Sequence, residues 1–185
     1  HGGPLVEGGE AYAEAIIGDC HLHSDWSDGG SPIEEMVASA IELGHDYLAL
    51  TDHSPRLRIA NGLSVERLQK QLRLVDQIDG ALGDSFRLLK GIEVDILDDG
   101  SLDQEPELLE RLDVVVASVH SKLKMDAAAM TRRMVRAVSD GHADVLVTED
   151  DALVWHASLA EQGFEVQVRA LADQGDLDRK STRLN

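Results

Sequence analysis

The sequence SPIEEMVASAIELGHDYLALTDH, residues 31–53, predicts a helix followed directly by a short strand. Ser31 is placed to cap the helix, Pro32 suits its first position, and Glu34 completes a Ser-x-x-Glu capping box. Apolar side chains then recur at helical spacing as far as Gly44, a common helix stop. A helix that leads so quickly into an apolar strand is typical of a parallel α/β unit.

The same alternation continues along the chain and defines the predicted elements. Ser64 and Asp126 begin two further helical patterns. Short apolar runs predict five strands, which cover residues 15–23, 47–51, 86–94, 113–120 and 144–147. Beyond residue 147 the pattern weakens to a helix near 152–162 and a strand near 164–168. Strands alternating with helices predict one α/β domain built on a parallel sheet.

The charge balance narrows the class of partner. The 185 residues include 35 acidic and 17 basic side chains, a net charge of −18, and aromatic residues make up 3%. A surface this acidic repels a phosphate backbone, so extended nucleic-acid binding is not expected. A small phosphorylated substrate or a nucleotide stays compatible when metal ions hold it, because bound cations invert the local field.

Neither a membrane segment nor a disulfide framework is indicated. No uninterrupted apolar stretch approaches the roughly 20 residues of a spanning helix. Cys20 is the single cysteine, which excludes an internal disulfide, and we expect it to be a buried core thiol. These features predict a cytoplasmic protein without membrane contact, while its oligomeric state stays open.

Metal-capable side chains stand at the ends of four consecutive predicted strands. The carboxyl ends of parallel strands are where a β/α barrel gathers its functional groups. Two histidines separated by one residue point to the same side of a strand and can therefore bind one cation together. A mixed set of imidazoles and carboxylates suits zinc, manganese or iron rather than calcium. The strand-end residues are His21, His23, Asp52, His53, Glu93 and His120.

Each of these residues also has a purely structural interpretation. Glu93 could pair with Lys90 or Arg87 instead of a metal, and Asp52 could only cap a turn. A single histidine is more often structural than a ligand, and His45, which follows a helix stop without a partner, is interpreted in that way. The joint placement at four strand ends favours a metal site.

Four short motifs around these residues resemble those of the PHP (polymerase and histidinol phosphatase) domain family. They are DCHLHSDWSDG at 19–29, LTDHS at 50–54, GIEV at 91–94 and SVHS at 118–121. The resemblance runs from about residue 17 to residue 146. It implies a distorted β/α barrel, TIM-like but with seven strands, that binds two or three divalent metal ions and hydrolyses phosphoester bonds.

The resemblance also assigns roles to individual residues. By it, a first metal is held by His21, His23 and Glu93, a second by Glu93 and His120, and a third by Asp28 and His53. Glu93, His120 and Asp52 are assigned to catalysis. Clustered cations lower the pKa of a bound water and neutralise phosphate oxygens during in-line attack. The sequence therefore predicts a metal-dependent phosphoesterase or phosphatase.

The chain departs from the family pattern near its end. The family follows its fifth strand with Gly-His, but Thr148 stands where that histidine belongs, and the family's last motif, Asp-x-His, is absent. Each metal site then lacks at least one expected ligand. The residues that could supply the missing ligands are His142, Glu149, Asp150, Asp151 and His156. We expect a barrel that is incomplete on its C-terminal side, and little turnover from the chain as given.

These observations set the expected domain boundaries. Residues 1–14 are expected to be an N-terminal fragment or linker, and residues 15–147 the PHP-like domain. Residues 148–177 stay unassigned, with a frameshift or misjoin as one interpretation. Residues 178–185, DRKSTRLN, correspond to the translation of a sequencing adapter and are expected to be non-biological.

Two other functions stay open from the sequence. One is the nuclease domain of an X-family DNA polymerase, and the other is a catalytically inactive PHP-fold module that serves binding. Dinucleotide-binding, P-loop and Gly-x-Ser-x-Gly signatures are absent, which argues against those reaction classes. No motif identifies the substrate.

Overall fold

A computed structural model describes residues 16–147 of the chain. These residues form a five-stranded sheet with helices between the strands. The strands are β1 (Gly18–Asp19), β2 (Tyr47–Leu50), β3 (Arg87–Asp95), β4 (Val114–Ser118) and β5 (Val145–Val147). The helices are α1 (Ile33–Glu42), α2 (Val65–Leu82), α3 (Pro106–Leu109) and α4 (Ala127–Ser139), with short 3₁₀ helices at Arg58–Ala60 and Gly83–Ser85. None of these helices is long and apolar enough to cross a membrane.

The strands lie side by side in chain order, and every neighbouring pair is parallel. This sequential order is that of a β/α barrel, whereas a doubly wound sheet reverses direction at a switch point. The predicted α/β class is confirmed. The described residues supply five strands, so the seven-stranded barrel stays a prediction, and the strand expected near 164–168 lies outside the described range.

The long strand β3 joins the two parts of the sheet. Its first residues, as far as Lys90, pair with β2, and from Gly91 onward it pairs with β4. Gly91 lies at the change of partner, where a Cβ would come within 2.7 Å of the Leu50 carbonyl oxygen. A residue with a side chain would force the backbones apart at this point.

Helix α1 packs its apolar face against the sheet. Ile33, Val37 and Ala40 are buried on that face, and they belong to one apolar cluster with Leu48 and Leu50 of β2. This packing fixes the α1 end of the β1–α1 loop, residues 20–32, which carries several of the candidate ligands.

Helix ends test the predicted capping. The Ser64 hydroxyl accepts from the Arg67 amide at 3.3 Å, and Gly44 follows α1 with a φ of +81°, as expected. The capping box predicted at the start of α1 is wrong. Pro32 has a ψ of 155°, so the helix begins only at Ile33 and no side chain caps it. Ser31 therefore lies one position too early.

The first strand is shorter than predicted. At Leu22, hydrogen bonds with Thr51 replace the regular backbone pairing between β1 and β2. The Leu22 amide donates to the Thr51 hydroxyl at 2.9 Å, and the Leu22 carbonyl accepts from the Thr51 amide at 2.8 Å. His21 and His23 consequently follow β1 instead of lying within it. Cys20 is half-buried, with Sγ 3.8 Å from the Tyr47 hydroxyl, so the expected core thiol is also wrong.

Candidate metal centre

Two histidines of the β1–α1 loop converge on one carboxylate. The Nε2 atoms of His21 and His23 are 3.1 Å apart, and each lies 3.1 Å from Oε2 of Glu93. Asp28, farther along the same loop, places Oδ1 3.5 Å from His23 Nδ1. The convergence expected from the His-x-His spacing is present although the residues lie outside the strand.

His53 approaches the same carboxylate from the end of β2. Its Nδ1 lies 3.1 Å from Glu93 Oε2, and its Nε2 lies 3.5 Å from Asp28 Oδ2. A parallel bridge between the backbones of His53 and Glu93 fixes this position. His53 is 7% exposed, so its ring is held inside the fold rather than free at the surface.

Glu93 is the centre of the cluster. Its side chain is buried, and its second oxygen, Oε1, lies 3.1 Å from Nε2 of His120, which follows β4. One carboxylate therefore contacts four imidazoles. Burial raises the pKa of Glu93, but the surrounding imidazoles outweigh burial and hold that pKa far below its ordinary value, so the group is an anion.

The imidazoles respond to this anion in different ways. Burial lowers the pKa of His120, but the carboxylates of Asp95 and Glu93 outweigh burial and raise that pKa to about 9. Burial lowers the pKa of His23 as well, but the hydrogen bond to Glu93 and the charges of Glu93, Asp28 and Asp52 together outweigh burial and raise that pKa. Burial dominates at His53 and lowers its pKa, which favours the neutral ring that metal ions bind.

Unpaired nitrogen atoms test whether the cluster fits metal ions. The Nδ1 atoms of His23 and His53 are buried and have no hydrogen-bond partner, although carboxylate oxygens lie 3.5 and 3.1 Å away. A buried polar atom without a partner costs about 1–3 kcal/mol. A cation between nitrogen and carboxylate would remove that cost, so the donor set fits divalent metal ions.

Three groups of ligand atoms are compact enough to hold a cation. In each group the ligand atoms lie within 4.8 Å of one another. The groups are His21–His23–Glu93, His53–Glu93–His120 and His23–Asp28–His53. The first is the set expected for the first metal, and the others contain the pairs expected for the second and third. The structure thus brings all six sequence-predicted ligands together, and their binding of metal stays a prediction.

Several other sequence candidates lie elsewhere. His45 precedes β2, at the opposite end of that strand from His53. His142 precedes β5 and pairs with Asp140, so it does not supply a missing ligand in this arrangement. Lys90 and Arg87 pair with aspartates of α2 rather than with Glu93. The other suggested replacements, Glu149, Asp150, Asp151 and His156, lie outside the described residues, as do Thr148 and the predicted boundaries beyond 147.

Asp52, predicted to be catalytic, lies behind the ligands. It is 1% exposed, and its carboxylate accepts from the Ser24 amide at 2.8 Å, from the Ser24 hydroxyl at 2.6 Å and from Gln71 Nε2 at 2.6 Å. The Ser27 hydroxyl donates to it as well. Among the described residues it belongs to none of the groups that could hold a metal. This geometry makes it a positioning residue for the loop that carries His23 and Asp28.

Asp95 supports the other side of the centre and was missed by the sequence analysis. Its buried carboxylate accepts from the His120 amide at 3.2 Å and lies 3.6 Å from His120 Nδ1. Its own amide donates to Ser54 Oγ at 3.1 Å, and that hydroxyl donates to Asp103 at 2.9 Å. A carboxylate behind an imidazole orients a metal-binding histidine. The sequence did contain a signal for Asp95: it lies two residues after Glu93 on one strand, so both side chains point to the same face.

Arg133 of α4 ties together the loops on this side. It is 2% exposed and donates to the carbonyl oxygens of Leu97 at 2.8 Å and of Ser121 at 2.7 Å. It also donates to the Ile96 carbonyl. Because Ser121 follows His120 directly, this guanidinium fixes the segment that carries the fourth imidazole.

A cavity of about 470 Å³ opens beside the cluster. The six predicted ligands line it together with Leu57, Ile59, Ala60, Ser118 and Val147. Charged and apolar walls therefore meet in one space, as in many small-molecule sites.

Comparison with known proteins identifies a related domain. Residues 19–152 match the model of the family described as PHP domain. The chain is 36% identical over 170 residues to "DNA polymerase/3'-5' exonuclease PolX" of Bacillus subtilis, covering 92% of this chain and 29% of that protein. It is 29% identical over 136 residues to a protein named "Probable phosphatase" of a Thermoanaerobacter species, covering 71% of this chain and 53% of that protein.

A solved structure is also similar. It belongs to a candidate histidinol phosphatase from Listeria monocytogenes and aligns with a TM-score of 0.49 at 24% identity, covering 56% of this chain and 44% of that one. The chain spans about half or less of the length of each of these three proteins.

Proposed function

The chain belongs to the PHP domain family, and from this premise we propose that it is a metal-dependent phosphoester hydrolase. The observation that carries the proposal is the Glu93 carboxylate, whose two oxygens lie 3.1 Å from four imidazole rings. A buried anion at the meeting point of neutral and cationic nitrogen donors is a suitable bridge between two cations.

The residues around Glu93 would have two roles: some would hold the cations, and others position the residues that hold them. His21 and His23 would hold a cation on the Oε2 side of Glu93, and His120 a cation on the Oε1 side. When bound, such ions supply a water acidic enough to attack phosphorus and offset the charge of the phosphate. Asp95 holds the orientation of His120, and Asp52 holds the β1–α1 loop. Asp28, 46% exposed, lies where the cluster meets the solvent.

A 3'-5' exonuclease activity is the second candidate. The similarity to the polymerase-associated exonuclease is higher in identity and covers more of this chain than the similarity to the phosphatase, 92% against 71%. This favours a phosphodiester over a phosphomonoester. The net charge of −18 is compatible with a nucleotide end held by cations rather than with a long duplex. Only 29% of that relative is matched, so no polymerase reaction is proposed.

The test is hydrolysis with controlled metal content. The purified chain is stripped with a chelator, and then Mn²⁺ or Zn²⁺ is restored. Phosphate ester cleavage is followed with p-nitrophenyl phosphate, a monoester, and with thymidine 5'-monophosphate p-nitrophenyl ester, a diester. We expect turnover only with restored metal, and slow turnover at that, because the sequence lacks some of the family's expected ligands. Turnover should be lost in Glu93→Gln and kept in the control Glu110→Gln, whose side chain is exposed.

The outcomes separate the candidate functions. Preference for the diester favours the exonuclease, and preference for the monoester favours a phosphatase. Tight metal binding without turnover on either ester would indicate an inactive binding module instead. Equal turnover with and without chelator would disprove the metal-dependent mechanism.

A further inference from the structure

Ile59 has a large apolar side chain that is exposed to solvent beside the candidate metal centre. It lies in the 3₁₀ helix Arg58–Ala60 and is 95% exposed, against 45–74% for the other exposed large apolar side chains of the described residues. Single exposed apolar residues are common on protein surfaces. Ile59 differs because, with Leu57, it lines the cavity that also contains the candidate ligands.

The backbone around Ile59 is fixed on both sides. The Leu63 amide donates to the His53 carbonyl at 2.8 Å, and a Cβ on Gly62 would lie only 1.9 Å from the Ser54 carbonyl oxygen. Asn61 has a φ of +55°, and its side-chain amide donates to the Trp26 carbonyl at 3.0 Å. The exposed side chain is thus presented on a rigid segment that is attached directly to a candidate ligand.

Two arginines precede Ile59 closely in the chain. Arg56 and Arg58 are both exposed, and within residues 16–147 neither guanidinium has a carboxylate oxygen within 4.0 Å. An exposed guanidinium binds phosphate oxygens well because its planar fork matches their geometry.

We infer that Leu57 and Ile59 form an apolar subsite for the nucleoside part of a phosphoester substrate, with Arg58 attracting a further phosphate group. This inference rests on the proposed function, because it places the scissile phosphate at the metal centre. The substrate class is then nucleotide esters, which carry a ring with apolar faces and, in a dinucleotide, a phosphate beyond the scissile one, rather than esters of small polar alcohols. Ile59 is a specificity-determining residue in this arrangement.

The test compares two exposed apolar residues on two substrates. Ile59→Ser removes the proposed contact, and Leu43→Ser is the matched control, since Leu43 is 74% exposed just after α1 and does not line the cavity. With Mn²⁺ present, KM and kcat are measured for thymidine 5'-monophosphate p-nitrophenyl ester and for glycerol 2-phosphate. We expect Ile59→Ser to raise KM for the nucleotide ester by about three- to tenfold with kcat nearly unchanged. Glycerol 2-phosphate and Leu43→Ser should show no change.

A charge variant tests the second part of the subsite. Arg58→Gln should raise KM for the dinucleotide pTpT, which carries a phosphate beyond the scissile diester. It should also weaken the salt dependence of that KM, because an attraction between charges that salt screens has been removed. Unchanged KM and salt dependence would exclude Arg58 from the site.

Two results would overturn the apolar subsite. One is an equal effect of Ile59→Ser on both substrates or an effect equal to that of Leu43→Ser. The other is a changed melting temperature or oligomeric state in Ile59→Ser with KM for the nucleotide ester unchanged, which would mean that protein covers this side chain.

Binding separates this inference from the proposed function. The Kd of thymidine 5'-monophosphate is measured by calorimetry with Mn²⁺ for both serine variants and the unmodified chain. If neither ester is hydrolysed, the proposed function fails, while a weaker Kd in Ile59→Ser alone still supports the subsite. Absence of nucleotide binding by the unmodified chain would overturn the subsite.

Discussion

The two sides of the metal centre are supported by buried polar networks of different construction. On the side of the β1–α1 loop, the carboxylate of Asp52 accepts from Ser24, Ser27 and Gln71, so a single anion organises neutral donors. On the β4 side, two residues support the centre. Asp95 accepts a hydrogen bond from His120, and Arg133 donates to backbone carbonyl oxygens. The first network depends on one residue, and the second is shared.

This difference predicts how each side fails. Loss of Asp52 removes the acceptor that Ser24 and Ser27 share, so the loop that carries His23 and Asp28 loses its buried anchor and keeps the hydrogen bond from Asn61 to the Trp26 carbonyl. Loss of Asp95 frees the ring of His120, while Arg133 continues to hold Ser121. Glu93 belongs to both sides, because β3 pairs with β2 in its first part and with β4 in its second.

The largest effect is expected at the shared residue. Glu93→Gln keeps the size of the side chain but removes the anion that faces all four imidazoles, so both sides lose a ligand. We expect turnover to fall by about a thousandfold or more and bound metal to drop, as judged by elemental analysis after dialysis. His53→Ala should cost less, because the other imidazoles still face Glu93. Equal losses in the two variants would contradict a bridging role.

The next effect is expected at Asp52. In Asp52→Asn, Ser24, Ser27 and Gln71 lose a charged acceptor in a buried place, so the free energy of unfolding should fall by about 2–4 kcal/mol in urea titrations. Metal should be lost from the His21–His23 side first. Asp25→Asn, an exposed carboxylate of the same loop, is the control and should stay within about 0.5 kcal/mol of the unmodified chain. A similar small change in both variants would refute the anchoring role.

A smaller and more local effect is expected at Asp95. Asp95→Asn removes the carboxylate that faces His120 Nδ1 at 3.6 Å, so the affinity of the second metal should fall about 10- to 100-fold. The first metal should bind almost normally, because Asp95 does not contact His21 or His23. Stepwise Mn²⁺ titration separates the two events, with the exposed Asp98→Asn as the control. Equal weakening of both steps would mean that the two sides are not independent.

The smallest effect is the response to pH. The metal-free protein holds a proton on His120, whose pKa is raised to about 9, and this proton must leave before the ring binds a cation. Metal affinity on the β4 side should therefore rise with pH, by up to tenfold per unit, and level off above about pH 9. Asp95→Asn should flatten this dependence, since Asp95 helps to raise the pKa of His120. Calorimetry in buffers of different ionisation enthalpy measures the released proton, and a flat pH profile in the unmodified chain would contradict this account.

Sequence patterns were sufficient for the α/β class and for the set of residues that meet at the centre. The reason is geometric: side chains that end neighbouring parallel strands share one edge of the sheet, whatever the details of packing. The argument succeeded even for His21 and His23, although the strand that was expected to align them ends at Asp19. Hydrogen bonds between Thr51 and the backbone of Leu22 hold the residue between the two histidines against β2.

Only the tertiary structure decided what supports and surrounds those residues. From the sequence, Asp52 looked like a possible ligand because it stands next to His53. Its supporting role became visible only from its hydrogen-bond donors, which lie in the β1–α1 loop and in α2. Arg133 left no signal, since its acceptors are backbone carbonyl oxygens, which every residue carries. Its burial, like the exposure of Ile59 beside the cavity, depends on how separate elements pack. Local patterns specify which elements form and which ends meet, but the environment of a side chain is set by residues far away in the chain.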